Sequence, residues 1–221
     1  SKLLKNLFFI PGNPGTQDLG TNVDINPLNN FEIKEFAIKN NISLIIPGSE
    51  VYLENGIKDI FDDTNIQVFG PSKNAARIES SKEYEKDLMR KYKIPSASYK
   101  VFDNYEEALL YVESGNIPIV IKYDGLAGGK GVVVAMTLKE ATDALDLMLL
   151  KRVYGGSKVV IEEYLEGPEF SLMAFVNGKN VIPMPIAQDH KRLLDGDKGP
   201  NTGGMGIYSS VPIISNDEIE F

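Results

Sequence analysis

The chain reads as an α/β protein. Short apolar runs that stop at Pro and Gly alternate with stretches of helical periodicity between residues 7 and 70. A second set of β-branched runs flanks a glycine-rich loop near the middle of the chain. With 43% of its 221 residues hydrophobic, the chain can bury a core in two or three compact lobes.

The elements follow in order. Residues 7–10 form an apolar run ending at Pro11-Gly12, residues 43–46 one ending at Pro47-Gly48, and residues 66–69 one ending at Gly70-Pro71. Segments 31–39 and 51–61 repeat apolar residues at helical spacing. This β-α-β-α-β order predicts a parallel sheet covered by helices, because parallel neighbours need a crossover connection. The Pro/Gly stops read first as ordinary turns and second as ligand-facing loops. One helix is predicted over 72–92, ending near Ile94-Pro95. A strand follows at 98–102, then a helix capped by Asp103 with Glu106 three positions later. Strands are predicted at 117–122 and 131–136, and Thr137-Leu-Lys-Glu140 opens the next helix as a capping box. Further strands are expected at 159–164, 170–176 and 181–186, the last two joined at the hairpin signal Asn177-Gly178. After Ala187 the chain is polar and Gly-rich until Ile207. Ser215-Asn-Asp-Glu218 reads as a helix start with too little chain after it to stand alone. The sequence is therefore expected to be cut there, and Ser1, with no initiator Met, reads as a processed or cloned start.

Composition removes several classes of function. A net charge of −8 argues against a nucleic-acid surface, which needs a basic face. An anionic small ligand stays compatible, since a loop and a few lysines suffice for it. The chain has no Cys, so disulfides and thiolate metal sites are out and a cytoplasmic enzyme fits. No run approaches the roughly 20 apolar residues of a membrane helix, and no charged-then-apolar leader suggests secretion. Internal repeats and low-complexity tracts are not seen.

The sharpest local motif is Ile119-Val-Ile-Lys122-Tyr-Asp-Gly125-Leu-Ala-Gly128-Gly129-Lys130-Gly131-Val-Val-Val134. Glycines let backbone N–H groups approach phosphate oxygens, and lysines at both ends add positive charge. A Walker A loop fails on spacing: it needs Gly where Asp124 stands and Ser or Thr where Gly131 stands. The β-branched run after Lys130 continues as a strand, which also excludes a dinucleotide fingerprint. Strand, glycine loop, strand describes a lid over phosphates. The plainer alternative is a surface hairpin turn, and the density of Gly and Lys argues against it.

Lys122, the loop from Asp124 to Gly131, and Val160-Ile-Glu162-Glu163-Tyr-Leu165-Glu-Gly-Pro-Glu169 follow in the order used by ATP-grasp enzymes, which the chain resembles. Lys82, in Glu79-Ser-Ser-Lys82, matches that family's first lysine on a helix before the lid. The resemblance implies that Lys82 and Lys122 contact ATP phosphates while Asp124, Gly125, Gly128, Gly129, Lys130 and Gly131 close over them. It implies that Glu162, Glu163, Tyr164 and Leu165 hold adenine, partly through backbone, and that Glu169 binds the ribose hydroxyls. Taken singly, Lys82 is a solvated lysine and Glu162-Glu163 an exposed strand end; order and spacing carry the case.

The stretch Gln188-Asp-His-Lys-Arg192 through Asn201-Thr-Gly-Gly-Met-Gly206 resembles the signature of the phosphoribosylamine–glycine ligase family. Pro11-Gly-Asn-Pro-Gly-Thr16 and Phe69-Gly-Pro-Ser72 do so too. Read as residues, Gln188, Asp189, His190, Lys191 and Arg192 put donors, acceptors and charge side by side at a strand end. Pro200, Asn201, Thr202, Gly203, Gly204 and Met205 offer backbone for close substrate approach. His190 reads first as structural, whereas Asp189 and Lys191 suit polar substrate groups and join Lys122 as catalytic candidates.

The family resemblance implies an ATP-grasp fold preceded by a truncated, doubly wound Rossmann-like domain. That domain would span 1–80, the central lobe 81–97 and 165–221, and the lid lobe 98–164. It implies a ligase of de novo purine biosynthesis that joins glycine to phosphoribosylamine through a glycyl phosphate, releasing ADP and phosphate. The implied cofactors are ATP and Mg²⁺ or Mn²⁺, with metal ligands beyond Phe221 and none in this chain. Small molecules are the expected partners, with no nucleic acid or membrane, and a monomer is expected. The family's opening strand and Gly-Gly-Arg-Glu-His loop are lacking, so nucleotide binding without turnover is an expectation for the chain as written. Tyr123 in place of a small residue, and Pro47-Gly-Ser-Glu50, depart from the family pattern. The rival reading is another ATP-grasp carboxylate–amine ligase of nucleotide metabolism.

Overall fold

The structure, a computed structural model, describes residues 2–196 and 198–214; the expected helix start at Ser215 lies outside them. The chain divides into two compact units, 1–85 and 86–221.

In the first unit, β1 (Phe8–Phe9) pairs in parallel with β2 (Thr21–Asn22). A capping box between Asn13 and Thr16 shapes the turn that joins them. Helix α1 (Asn30–Lys39), capped by Asn29, leads to β3 (Leu44–Ile45), and α2 (Glu50–Glu54) precedes β4 (Gln67–Val68), which pairs in parallel with β3. The predicted parallel order thus appears as two separate short ladders. The partner of β1 is a polar dipeptide too short to show alternation. The helix expected over 51–61 stops early, because Gly56 takes a positive φ of 82° and only one 3-10 turn, Asp59–Phe61, follows. Ile25, Ile33, Ala37, Ile57, Phe61 and Val68 form the core of this unit.

The single helix expected over 72–92 is two, α3 (Lys73–Ser80) and α4 (Lys82–Tyr92). Ser81 between them is extended at φ −136° and ψ 110°. Its hydroxyl accepts from the Tyr84 amide at 3.2 Å, a serine cap competing successfully with helix continuation.

The second unit is built on β5 (Tyr99–Phe102), α5 (Tyr105–Ser114), β6 (Ile119–Tyr123), β7 (Val132–Ala135), α6 (Leu138–Leu145) and β8 (Val159–Glu163). The strands form one antiparallel sheet in the order β5-β8-β6-β7. Asn104, not Asp103, caps α5, its side-chain oxygen accepting from the Glu107 amide at 3.0 Å. The capping box at Thr137 and Glu140 forms as predicted. Ala108 and Val112 of α5 and Ala141, Ala144 and Leu145 of α6 are buried at helical spacing against one sheet face. Small alanines at these contacts let helix backbones approach the strands closely.

Alternation then sorts the strands. Ile121 and Tyr123 of β6 and Val159 and Ile161 of β8 enter the core shared with the helices. Lys122 of β6 and Val160 and Glu162 of β8 therefore belong to the opposite face. Beyond the sheet, β9 (Ala174–Asn177) and β10 (Asn180–Pro183) form a hairpin. The strands expected at 170–176 and 181–186 are thus shifted and shortened. The polar stretch after Ala187 carries four short strands its composition did not announce. β11 (Ala187–Asp189) pairs with β14 (Ile207–Ser209), and β12 (Arg192–Leu194) pairs with β13 (Lys198–Asn201).

Ile161 is central to the larger core, with 1% exposure. Ile161→Ala is expected to cost about 2–5 kcal/mol of unfolding free energy, read from urea melts, because neighbours only partly collapse into the void.

Candidate functional site

The face of the sheet opposite α5 and α6 carries a charged cluster. Glu162 stands directly opposite Val120 in the β6–β8 register, so Lys122 is its diagonal neighbour, within reach of a long side chain. The Lys122 ammonium donates to Glu162 Oε2 at 2.9 Å and lies 2.9 Å from Oε1. A second lysine, Lys86 of α4, reaches the same carboxylate, with 2.9 Å to Oε2, and donates to Ser96 Oγ at 2.7 Å. Side-chain exposure is 6% for Lys86 and 5% for Glu162, against 27% for Lys122. Buried charges persist only when paired, so removing either buried partner would be costly. Lys122 is the member of the cluster that can meet a ligand.

At the end of β6 the chain enters the glycine loop. The Tyr123 amide donates to Gly131 O at 2.7 Å, and the Asp124 amide to Lys158 O at 3.0 Å. The loop tip is a tight turn in which the Lys130 amide donates to Ala127 O at 3.1 Å. Gly128 and Gly129 at its centre have φ of 55° and 76°, the left-handed region that glycine enters without strain. A Cβ on Gly129 would lie 4.0 Å from Thr202 O, so the tip approaches the 201–206 stretch.

Tyr123, the departure from the family pattern, is 8% exposed and packs against Tyr154 with ring centroids 5.2 Å apart. Gly125 and Gly156 make room for it: a Cβ on either would come within 2.5 Å of the Tyr123 ring or hydroxyl. Tyr154 in turn donates its hydroxyl to Lys130 O at 2.7 Å, tethering the far end of the loop.

The neighbouring acids of β8 part company. Glu162 meets the lysines, while Glu163 accepts from the Ser98 amide at 3.0 Å and the Ser98 hydroxyl at 2.8 Å. Those bonds, the amide's first, hold the Glu163 carboxyl below its usual value near 4.5. Tyr164 and Leu165 continue past the strand as exposed residues. Lys82 is the first residue of α4, one helical turn before Lys86.

The 188–206 stretch is held as a ribbon by its own polar groups. The His190 amide donates to Gly206 O at 3.0 Å, and the Met205 amide to His190 O at 2.7 Å. Thr202 donates to Lys191 O from its amide at 2.7 Å and from its hydroxyl at 3.0 Å. Arg192 Nη1 donates to Gly199 O at 2.7 Å, across the ladder from Asn201 and next to Pro200 in the chain. Gln188 accepts from the Tyr208 hydroxyl, and the His190 ring stacks on Tyr208 at 5.6 Å. Gln188, His190 and Arg192 are thus occupied with the ribbon itself. Lys191 forms an ion pair with Glu169 at 3.0 Å, joining two residues that sequence reasoning had placed with different ligands. The Asp189 carboxylate lies against Gly204, where a Cβ would come within 2.8 Å of Oδ1. Gly203 has open space around its α-carbon, and Met205 is exposed.

Lys86 and Ser96 are absent from the sequence reading. Lys86 sits in a helix dense with Lys and Glu, and nothing in the spacing separates it from solvated neighbours such as Lys91. Among the described residues no group of three His, Asp or Glu is placed to hold a metal ion, and no helix is long and apolar enough to cross a membrane.

A lid hairpin with a glycine loop, a lysine at its base and an acidic strand beside it define the ATP-grasp class. The fold agrees with the biotin carboxylase domain of 2-oxoglutarate carboxylase from Hydrogenobacter thermophilus. That structure is 20% identical at a TM-score of 0.64, with 78% of this chain and 41% of that one covered. The chain belongs to the phosphoribosylglycinamide synthetase family: the profile of its N domain matches residues 1–79 and that of its ATP-grasp (A) domain residues 80–221. It is 53% identical to a phosphoribosylamine–glycine ligase of Halalkalibacterium halodurans, over 100% of this chain and 52% of that protein. A crystal structure of phosphoribosylamine–glycine ligase from Thermotoga maritima is 39% identical, with a TM-score of 0.76, covering 95% of this chain and 51% of that one. The chain spans about half the length of the curated relatives it matches.

The tether and the depressed acid each yield an expected outcome. Tyr154→Phe removes one hydrogen bond, normally about 0.5–1.5 kcal/mol net. Amide exchange at Lys130 should therefore quicken about twofold to tenfold, while the sheet amides stay unchanged. Glu163, with its folded value lowered, contributes stability that is complete above its usual value near 4.5 and lost as pH falls through the folded value. The stability difference between wild type and Glu163→Gln should be full near neutrality and close under acid, as read by urea melts across pH.

Proposed function

We propose that this chain forms the nucleotide-binding part of a ligase that joins glycine to phosphoribosylamine in de novo purine biosynthesis. One observation carries the reading: Lys122, the partly exposed member of a buried charge cluster, stands at the base of a glycine hairpin built for close backbone approach. The ATP γ-phosphoryl group passes to the glycine carboxylate, giving glycyl phosphate and ADP. The amine of phosphoribosylamine then attacks the acyl carbon, and phosphate leaves as the amide bond forms. Such chemistry asks the protein for positioning and charge neutralisation rather than a nucleophile, consistent with a chain that has no Cys and one His.

In this reading Lys82 and Lys122 bind phosphates, the Asp124-to-Gly131 loop covers them, and the Glu162-to-Leu165 segment receives adenine. Glu169 takes the ribose hydroxyls, exchanging its Lys191 contact for them. Asp189, Lys191 and the Pro200-to-Met205 stretch face the acceptor substrates. A divalent cation, Mg²⁺ or Mn²⁺, belongs to the reading. The described residues supply no ligand set for it, and no step here is routed through it. The lobes divide at 80/81, 97/98 and 164/165, and the whole protein works as a cytoplasmic monomer on small molecules.

The test is ADP release by the whole protein: it should require both glycine and phosphoribosylamine, and turnover with another carboxylate–amine pair alone would sink the assignment. Within it, Asp189→Ala should leave ATP affinity nearly intact while kcat/KM for glycine or phosphoribosylamine falls on the order of tenfold to a hundredfold. A lower melting temperature with wild-type kinetics would instead make Asp189 a turn residue.

A further inference from the structure

The Glu162 carboxylate has more positive partners than an ion pair needs. Lys122 alone would make a neutral pair with it, both oxygens lying 2.9 Å from that ammonium. Lys86 adds a second ammonium 2.9 Å from Oε2, in a position with 6% side-chain exposure. Neutralising Glu162 does not call for this arrangement, because Lys122 already supplies one counter-ion and burying a second ammonium is costly. Lys86 is held between Glu162 Oε2 at 2.9 Å and Ser96 Oγ at 2.7 Å. Glu163, whose carboxyl also feels Lys86, is already held by Ser98 and faces solvent.

Two ammonium groups and one carboxylate leave one positive charge. Lys86 is enclosed, so the surplus is expressed at Lys122, the partly exposed end of the cluster. Without Lys86, Glu162 would neutralise Lys122 and the sheet face would offer an anion a closed ion pair. We propose that Lys86 is a positioning residue that shares Glu162 so that Lys122 stays electrostatically available to a polyphosphate. The inference rests on the nucleotide reading above and adds to it a residue that need not touch the ligand.

Charge arithmetic supplies the test. Wild type carries a surplus of one, Lys86→Met none, and the double variant Lys86→Met/Glu162→Gln one again, now on Lys122 alone. ATP affinity of the full-length proteins is measured by calorimetry, with adenosine as a ligand that lacks phosphate and melting temperature as a control on folding. Lys86→Met should weaken ATP about tenfold to a hundredfold, the usual loss of a charge-assisted contact. Adenosine binding should be unaffected. Made in a Glu162→Gln background, the Lys86→Met change should cost no more than about threefold in ATP affinity relative to Glu162→Gln alone, because no carboxylate is left to share.

A double variant about tenfold or more weaker than Glu162→Gln alone would make Lys86 a clamp between α4 and β8 and overturn the inference. So would unchanged ATP affinity in Lys86→Met, or an equal loss for adenosine. Should Lys86→Met fail to fold, the double variant still decides, since it must match Glu162→Gln alone. Wild-type protein that binds no ATP would overturn the nucleotide reading and this inference together, an outcome distinct from the others.

Discussion

Strand β8 lies between β5 and β6, and its strict alternation is the constraint on which the second unit depends. Val159 and Ile161 point into the core beneath α5 and α6. Val160 and Glu162 point the other way and are still buried. A strand covered on one side only could keep a carboxylate there in water. Here the carboxylate is enclosed, and an enclosed carboxylate must be paired. That requirement ties β6 to β8 through Lys122 and α4 to β8 through Lys86. The same three residues that hold helix against sheet thus form the charged floor beside the glycine hairpin.

The hairpin itself rests on a packing decision. Tyr123 occupies space that small residues leave, with glycines at 125 and 156 yielding the volume its ring requires. Its partner Tyr154 then reaches Lys130 O. The loop is therefore shaped from below by aromatic packing, while its upper surface presents backbone at Gly128 and Gly129. Substitution by a bulky residue at Tyr123 is accommodated locally, and the register Lys122↔Val132 is preserved.

Much of this was legible in the sequence, for reasons that differ by residue. Lys122 and its loop stood out because glycine density between two β-branched runs has few structural uses. The strands around them followed from their β-branched runs and the capping box at Thr137 from short-range chemistry. Lys86 was invisible because its role depends on Glu162, 76 positions away, and local pattern cannot rank one lysine of a charged helix above another. The break at Ser81 was missed because Glu79-Ser-Ser-Lys-Glu83 holds no Gly or Pro to end a helix, although a serine before Lys-Glu-Tyr is a cap signal. The strands between 187 and 209 escaped because they are short ladders in polar sequence, held by side chain to backbone bonds such as Thr202 to Lys191. Lys191 and Glu169 were both singled out, but only the fold shows them paired.

The tether from Tyr154 has a further consequence, which concerns entropy. A free loop gives up roughly 1–2 kcal/mol of backbone freedom per residue when it closes on a ligand. Between Asp124 and Gly131 much of that freedom is already gone. The two ends are joined in the β6–β7 ladder, the tip is closed by the Ala127 to Lys130 turn, and Lys130 is held by a phenol. On the proposed reading, the phosphates meet a cradle whose shape is largely set during folding, so most of their interaction energy is left to appear as affinity.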